Sequence, residues 1–393
     1  MLRYIMDRTT ERESSFLFTL ARVELDANNE RTVERILSKG VDWHKLITIA
    51  RQNEVELLLY HHLKNTLSTG IVPAELMSSL EKGYYANAHR NMLLFEALGK
   101  VLSAMRKSAI DAIVMKGGAL LDTIYRGLPL RKMADVDLFV SEGNDRIKAR
   151  EILSGMGYDY HAAEGAYRVG GDSRFMIELH TKPMAHHLHF FVHEDDRLKK
   201  RAEKTRIAGA ETLVFRPEDF VLHLCIHATY RHFFKLKFFV DIAECLRAFK
   251  DRFRWEELVF WDSRYPVGNY TCTALTLCRR FLGAPVPDWV LNEVRKQSPG
   301  ILIRPLDAFE PSRLLASVVR QNLQSGILYL LATKTSFTRS NYIKEVLFPS
   351  RRKMANLCGL PSSSRKIDLF YLTRPIQLIL KNSLPAIRFF THT

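Results

Sequence analysis

Apolar positions in the first hundred residues recur at steps of three and four. Tyr85, Ala88, Met92, Phe95, Leu98, Leu102 and Met105 fall on one face of a long helix. A similar stripe at Trp43, Leu46, Ile47 and Ala50 predicts a shorter helix before it, with Gly70 and Pro73 in the loop between. The period breaks at Ser108. Ile110 to Met115 is an apolar run too short for a globular helix and closed by Lys116-Gly117-Gly118, which predicts a buried strand entering a glycine turn. A short helix over Ala119 to Tyr125 follows, then a loop over Arg126 to Ala134 that carries Gly127 and Pro129. Asp135 to Val140 (DVDLFV) predicts a second strand and Ser141-Glu142 a helix start, the helix ending near Gly155-Met156-Gly157. Arg174 to Leu179 predicts a third strand.

Beyond residue 215 the helical period returns. Pro217 suits the first turn of a helix running through His223 and His227, and further helices are expected over Phe239–Phe249 and Leu314–Leu331. No internal repeat or sustained heptad pattern is present. The layout predicts an α+β protein in three parts: an N-terminal helical region over 1–107, a small mixed-sheet core over 108–215, and a C-terminal helical region with a basic tail over 216–393.

Composition narrows the class. With 393 residues, 47% of them apolar and only 19 Gly and 14 Pro, the chain can bury a core throughout and is neither disordered nor collagen-like. Five scattered cysteines without a C-x-x-C pair argue against a disulfide scaffold and a Cys-type zinc site. The opening MLRYIMDRTTERE lacks the features of a secretory signal, and no run approaches the roughly 18 apolar residues of a membrane span. The expectation is a soluble, cytoplasmic protein with no transmembrane segment. Net charge is +15, and from residue 301 onward 14 Lys and Arg face 4 acidic residues. Such a tail favours anionic partners, whether phosphates, nucleic acid or peripheral contact with an acidic membrane face.

Candidate chemistry gathers in the predicted sheet. Asp135 and Asp137 sit one residue apart on a strand, so their carboxylates share a face about 6.6 Å apart along it. They repel unless a cation lies between them. Upstream, the glycine turn offers backbone N–H groups that can hold a phosphate. Downstream, Glu178 places a third carboxylate on an apolar strand, where a lone Glu is costly to bury. A glycine turn, D-x-D and a third acid in that order point to two Mg²⁺ ions (or Mn²⁺) bridging a nucleoside triphosphate. Lys116 reads either as a phosphate contact or as a solvated residue beside the turn. Arg131 reads either as a phosphate contact or as a partner that neutralises Asp135 or Asp137.

The segment VMKGGALLDTIYRGLPLRKMADVDLFV, followed by MIELH, resembles the DNA polymerase β-like nucleotidyltransferase superfamily. More narrowly, it is similar to a broad bacterial family of uncharacterised nucleotidyltransferases, through Lys116-Gly117, Tyr125, Arg131, Asp135-Val136-Asp137-Leu138 and Glu178-Leu179-His180. The Trp43 to Ala50 helix, the His223/His227 helix and Phe239-Val240-Asp241-Ile242 share the likeness. The resemblance implies Mg²⁺-dependent transfer of a nucleoside monophosphate from an NTP such as ATP to an unknown acceptor (a small molecule, sugar, protein or RNA), with pyrophosphate released. It implies metal ligation and catalysis by Asp135, Asp137 and Glu178, the last also as general base. It places the nucleotide against Lys116, Gly117, Gly118, Arg131 and His180. The superfamily's turn is usually Gly-Ser; here Gly118 offers no hydroxyl, which leaves Lys116 and Arg131 to offset phosphate charge. The alternatives are a non-catalytic nucleotide- or RNA-binding protein of the same fold and a toxin-like enzyme that modifies tRNA.

Other histidines read as structural. His186, His187, His189 and His193 match no standard zinc spacing and predict a solvated loop, while His180 adjoins the acidic strand residue and could touch phosphate or orient Glu178. His223 and His227 lie one turn apart without the Glu of H-E-x-x-H, which excludes a zincin protease. Asp241, alone in an apolar run, is expected to pair with one of those two histidines.

Overall fold

The chain begins with helices α1 (Leu2–Leu20), α2 (Ala27–Leu37), α3 (Trp43–Gln52), α4 (Glu56–Asn65) and α5 (Ala74–Lys107). Side chains of Asp26 and Asp42 accept hydrogen bonds from the first free N–H groups of α2 and α3, which fixes where those helices start. Next come β1 (Ile113–Met115), α6 (Lys116–Thr123), β2 (Val136–Phe139), α7 (Asn144–Gly155), β3 (Tyr158–His161), β4 (Ala166–Val169), β5 (Asp172–His180), α8 (Asp195–Arg201), β6 (Glu203–Ile207) and β7 (Ala210–Val214). The chain returns to helix with α9 (Pro217–Tyr230), α10 (Leu236–Ala248), α11 (Trp255–Arg264), α12 (Gly268–Leu282) and α13 (Asp288–Lys296), and α14 (Arg351–Cys358) lies in the basic tail. This computed structural model describes residues 2–65, 71–141, 143–161, 166–169, 172–180, 195–230, 235–264, 268–297 and 347–375 without 359 and 362, together with 315, 340 and 344.

The architecture is α+β. Seven strands form one mixed sheet in the order β3-β4-β5-β2-β1-β7-β6. The three strands expected from sequence are its centre: β1 runs antiparallel to β2, and β2 runs parallel to β5. Both outer pairs escaped the sequence reading. β3 and β4 have only four residues each, and β6 and β7 expose one face, so none makes a long apolar run. The β6–β7 hairpin did carry a signal in Ala208-Gly209, whose φ of 51° and 77° suit a two-residue turn between alternating strands.

Helix α5 corrects another expectation. Leu98, Leu102 and Met105 are buried as the period required, but Tyr85 is 55% and Met92 61% exposed. In this half of the helix the inward face is carried by Asn87 and Asn91. Asn87 Nδ2 donates to the carbonyls of Pro129 (3.1 Å) and Arg131 (3.3 Å), and Asn91 Nδ2 donates to that of Arg131 (3.1 Å). Polar residues are tolerated inside because they are hydrogen-bonded, and a hydropathy stripe cannot register that.

One apolar core unites helices before, within and after the sheet, including Phe16, Leu46, Leu98, Val114, Leu138, Phe239, Leu275 and Val290. A second, small cluster of Met354, Ala355 and Ile367 lies in the tail. Among the described residues no helix is long and apolar enough to cross a membrane. The five cysteines form no disulfide. The expected helix over Leu314–Leu331 and the loop histidines His186, His187, His189 and His193 lie outside the described residues.

Candidate active site

Three central strands set the site. In the antiparallel β1–β2 ladder Met115 pairs with Asp137, so the chain leaving β1 turns beside that aspartate. In the parallel β2–β5 ladder Asp137 pairs with Glu178 and Phe139 with His180. Asp135, Asp137, Glu178 and His180 therefore share one face of the sheet, because alternate residues of a strand point the same way. His180 Nε2 lies 2.7 Å from Asp137 Oδ1 and 3.3 Å from Glu178 Oε2. Ligating atoms of Asp137, Glu178 and His180 all fall within 4.8 Å of one another, a grouping able to hold a metal ion.

Electrostatics separate the two aspartates. Burial first, then the charges of Asp137 and Glu178, push the Asp135 carboxyl up to about 6. Burial would also raise Asp137, but the Lys116 ammonium and a hydrogen bond from His180 outweigh it and hold this carboxyl well below the usual range. His180 responds in kind: burial would lower it, and Asp137 and Glu178 raise it instead. Asp137, the most buried of the three acids, is balanced by the Lys116 ammonium and by His180.

The glycine pair is not a turn ahead of a helix, as expected, but lies in the first turn of α6. Helix α6 starts at Lys116, whose own backbone takes the left-handed conformation (φ 43°), and Lys116 forms an ion pair with Asp137. A bulky residue in that conformation is strained, a condition that survives where surrounding structure enforces it. Close packing explains the glycines. A Cβ on Gly117 would sit 2.6 Å from Arg131 Nη1, and one on Gly118 would sit 2.9 Å from Val114 Cγ1.

Arg131 forms its ion pair with Asp241 rather than with Asp135 or Asp137, although its charge also acts on Asp135 and favours that carboxylate. Its Nε donates to both oxygens of Asp241, at 2.9 and 3.0 Å, and Tyr125 Oη donates to Asp241 Oδ1 at 2.8 Å. Asp241 thus pairs with Arg131 and Tyr125 rather than with His223 or His227. A carboxylate alone in the apolar run FFVDIA signalled a buried partner, but sequence did not say which. His223 and His227 stack with ring centroids 6.4 Å apart, and His227 packs edge-on against Phe238 at 5.1 Å.

Lys116, Gly117, Arg131, Asp135 and Asp137 line a cleft of about 910 Å³, near the upper end of the roughly 300–1,000 Å³ of small-molecule sites, whereas Gly118, Glu178 and His180 are not among its lining residues. One wall is the α5 face of Gly83, Ala86, Asn87 and Arg90, at helical spacing. Lys116, Gly117, Asp135 and Asp137 line the cleft from the sheet and the start of α6, and Glu54, Lys235, Lys237 and Phe238 from the turn before α4 and the start of α10. Arg131 and Lys132 line it too, which brings six cations to one cleft. Sequence reading missed Glu54, Arg90, Lys132, Lys235 and Lys237; only the i, i+3, i+4, i+7 spacing of the α5 wall could have flagged part of it.

A protein-family model described as an uncharacterised nucleotidyltransferase matches residues 39–283, which include the five helices and strands that carry this cleft. No curated protein and no solved structure shows a significant match. By the extent of that match, and with its acidic strand face beside a Lys-Gly helix start, the chain belongs to the uncharacterised nucleotidyltransferase family.

Proposed function

We propose that the protein is a Mg²⁺-dependent nucleotidyltransferase that moves a nucleoside monophosphate from an NTP to an acceptor and releases pyrophosphate. The observation that carries this reading is the parallel register of Asp137 and Glu178, with Asp135 and Lys116 at the same end of the cleft. The donor set fits a hard divalent cation: clustered carboxylate oxygens, with Asp135 raised first by burial and then by its acidic neighbours. Asp135, Asp137 and Glu178 would hold two such ions, Mg²⁺ or Mn²⁺. When bound, the ions supply charge neutralisation at the transferring phosphorus.

The chain's own groups do the rest. Lys116 reaches from Asp137 toward the cleft, so its ammonium pairs with a triphosphate oxygen once Asp137 is otherwise neutralised. Gly117 lets the guanidinium of Arg131 lie over the first turn of α6, where it adds positive charge beside the phosphates. His180 orients Asp137 and Glu178 through its Nε2. Glu178 accepts the acceptor hydroxyl's proton at a carboxylate oxygen. Residues 108–215 form the catalytic unit, and the flanking helices, through Gly83, Ala86, Arg90, His227 and Phe238, shape the acceptor side. A cytoplasmic location belongs to the same reading, supported by five free cysteines. For the tail we assign peripheral contact with an anionic lipid surface, since Leu369 and Leu372 are exposed beside Arg365 and Lys366.

The test is NTP-dependent label transfer to cell extract, with each NTP in turn, comparing the parent with Asp135→Ala/Asp137→Ala. The reading expects labelling and pyrophosphate release from the parent and a loss of at least about a thousandfold in the variant. Equal labelling by both overturns it.

A further inference from the structure

The cleft's cations are not evenly matched. Lys116 faces Asp137, Arg131 faces Asp241, and Lys132 faces Glu56. Lys235 and Lys237, in contrast, both bind the single carboxylate of Glu54, one on each oxygen. Two ammonium groups on one carboxylate leave a surplus positive charge. Lys237 is only 14% exposed, so that charge is largely desolvated on a cleft wall. Nearby, Arg90 meets the Ala134 carbonyl at 3.2 Å and brings a further cation to the same cleft.

The arrangement is held rigidly. Asn53 Oδ1 accepts from Leu236 N at 3.1 Å, and its carbonyl accepts from Lys237 N at 3.2 Å, which locks the start of α10 to the turn between α3 and α4. The next residue, Glu54, is held in the left-handed conformation with φ 56°. Strain of this kind persists where the surroundings over-determine it, and it gathers at ligand clamps. Burial first and Arg131 second push the Lys237 ammonium down even while it pairs with Glu54, so an additional anion would relieve it.

We propose that Lys235 and Lys237 form a second phosphate-binding station in the cleft that Asp135 and Asp137 also line, with Glu54 as the counter-ion that phosphate displaces. A phosphate carries more charge and more acceptor oxygens than a carboxylate, so it can satisfy both ammonium groups at once. Asn53 holds the backbone of Leu236 and Lys237 independently of Glu54, so the exchange calls on the Glu54 side chain alone to move. The station rests on the nucleotidyltransferase reading only for its use. The phosphate belongs either to the NTP's outer end or to a phosphorylated acceptor, and both present the same chemistry to the two lysines.

The experiment is calorimetric titration in EDTA with tripolyphosphate and, separately, glycerol 1-phosphate. Working without divalent cations reads the station and not the carboxylate face. Glu54→Gln keeps both lysines and removes their competitor, and it is expected to bind either probe at least threefold tighter than the parent. Glu54→Gln/Lys235→Gln/Lys237→Gln removes the cations without stranding Glu54, and it is expected to bind at least tenfold weaker than Glu54→Gln. Equal affinities across the three proteins overturn the proposal. A repeat with Mg²⁺ and a non-hydrolysable NTP assigns the source: glycerol 1-phosphate still bound marks an acceptor station, and its displacement marks an NTP station. Failure of the wider reading looks different, since it abolishes the dependence of label transfer on Asp135 and Asp137 and leaves these titrations unchanged.

Discussion

The Arg131–Asp241 pair ties the loop between α6 and β2 to helix α10, and its removal has a calculable effect. Arg131 is 8% and Asp241 1% exposed, so solvent screens neither charge appreciably. Asp241→Asn leaves the guanidinium buried against a neutral amide. Stranding one partner of a buried pair costs about 3–5 kcal/mol, a large share of the roughly 5–15 kcal/mol that keeps a domain folded. Tyr125→Phe removes one hydrogen bond to the same carboxylate and is expected to cost about 1 kcal/mol. Replacing both charges, as Arg131→Met/Asp241→Leu, removes the desolvation cost with the attraction and should recover most of the loss. Urea denaturation of the four proteins at pH 7 gives the comparison. The account requires the order parent, Tyr125→Phe, Asp241→Asn in falling stability, with the double variant well above Asp241→Asn. A double variant as unstable as Asp241→Asn, or an Asp241→Asn as stable as the parent, refutes the argument that charge pairing rather than packing holds this junction.

Three further outcomes follow from the same geometry. Lys116→Met takes the competing ammonium off Asp137, so Mn²⁺ should bind more tightly in the absence of nucleotide while NTP affinity falls about tenfold; calorimetry reads both signs. Gly118→Ala gains up to about 1 kcal/mol of helix propensity but drives a Cβ to 2.9 Å from the buried Val114 methyl, where overpacking costs about 1–3 kcal/mol, so urea melts should show a net loss. Burial would raise Glu54, but Lys237 and Lys235 outweigh it and hold its carboxyl down to about 2, below its ordinary 4.5, so its stabilisation is full above that ordinary value and drains as pH falls toward 2. The stability gap between parent and Glu54→Gln, on the order of 2 kcal/mol at pH 7 after screening, should therefore narrow on acidification, as urea midpoints from pH 7 to pH 3 would register.

What the sequence made legible was local. Short apolar runs located β1, β2 and β5, the first closed by Gly117-Gly118, and two-residue alternation put Asp135 beside Asp137 before any fold was known. Glu178 stood out because a lone acid is expensive on an apolar strand, and His180 because it adjoins that acid. Their pairing with β2 depends on strand register across about forty residues, which no local pattern encodes. Lys116 was visible as a residue beside a turn, but its left-handed backbone was not, since lysine gives no signal for that conformation. Asn87 and Asn91 were invisible for the opposite reason: their polarity placed them outside a helix face that hydrogen bonds to the Arg131 loop actually bury. Lys235 and Lys237 looked like ordinary surface charge until Asn53 and Glu54, more than 180 residues earlier, closed on them.

The central claim is that three acids, remote in sequence, meet to grip divalent cations. Mn²⁺ titration followed by electron paramagnetic resonance, with a non-hydrolysable NTP present, addresses it without requiring the acceptor. Saturable binding by the parent and at least tenfold weaker binding by Glu178→Gln and by Asp137→Asn is the predicted result. Unchanged Mn²⁺ affinity in both variants, or a parent that takes up no Mn²⁺ at millimolar concentration, contradicts it.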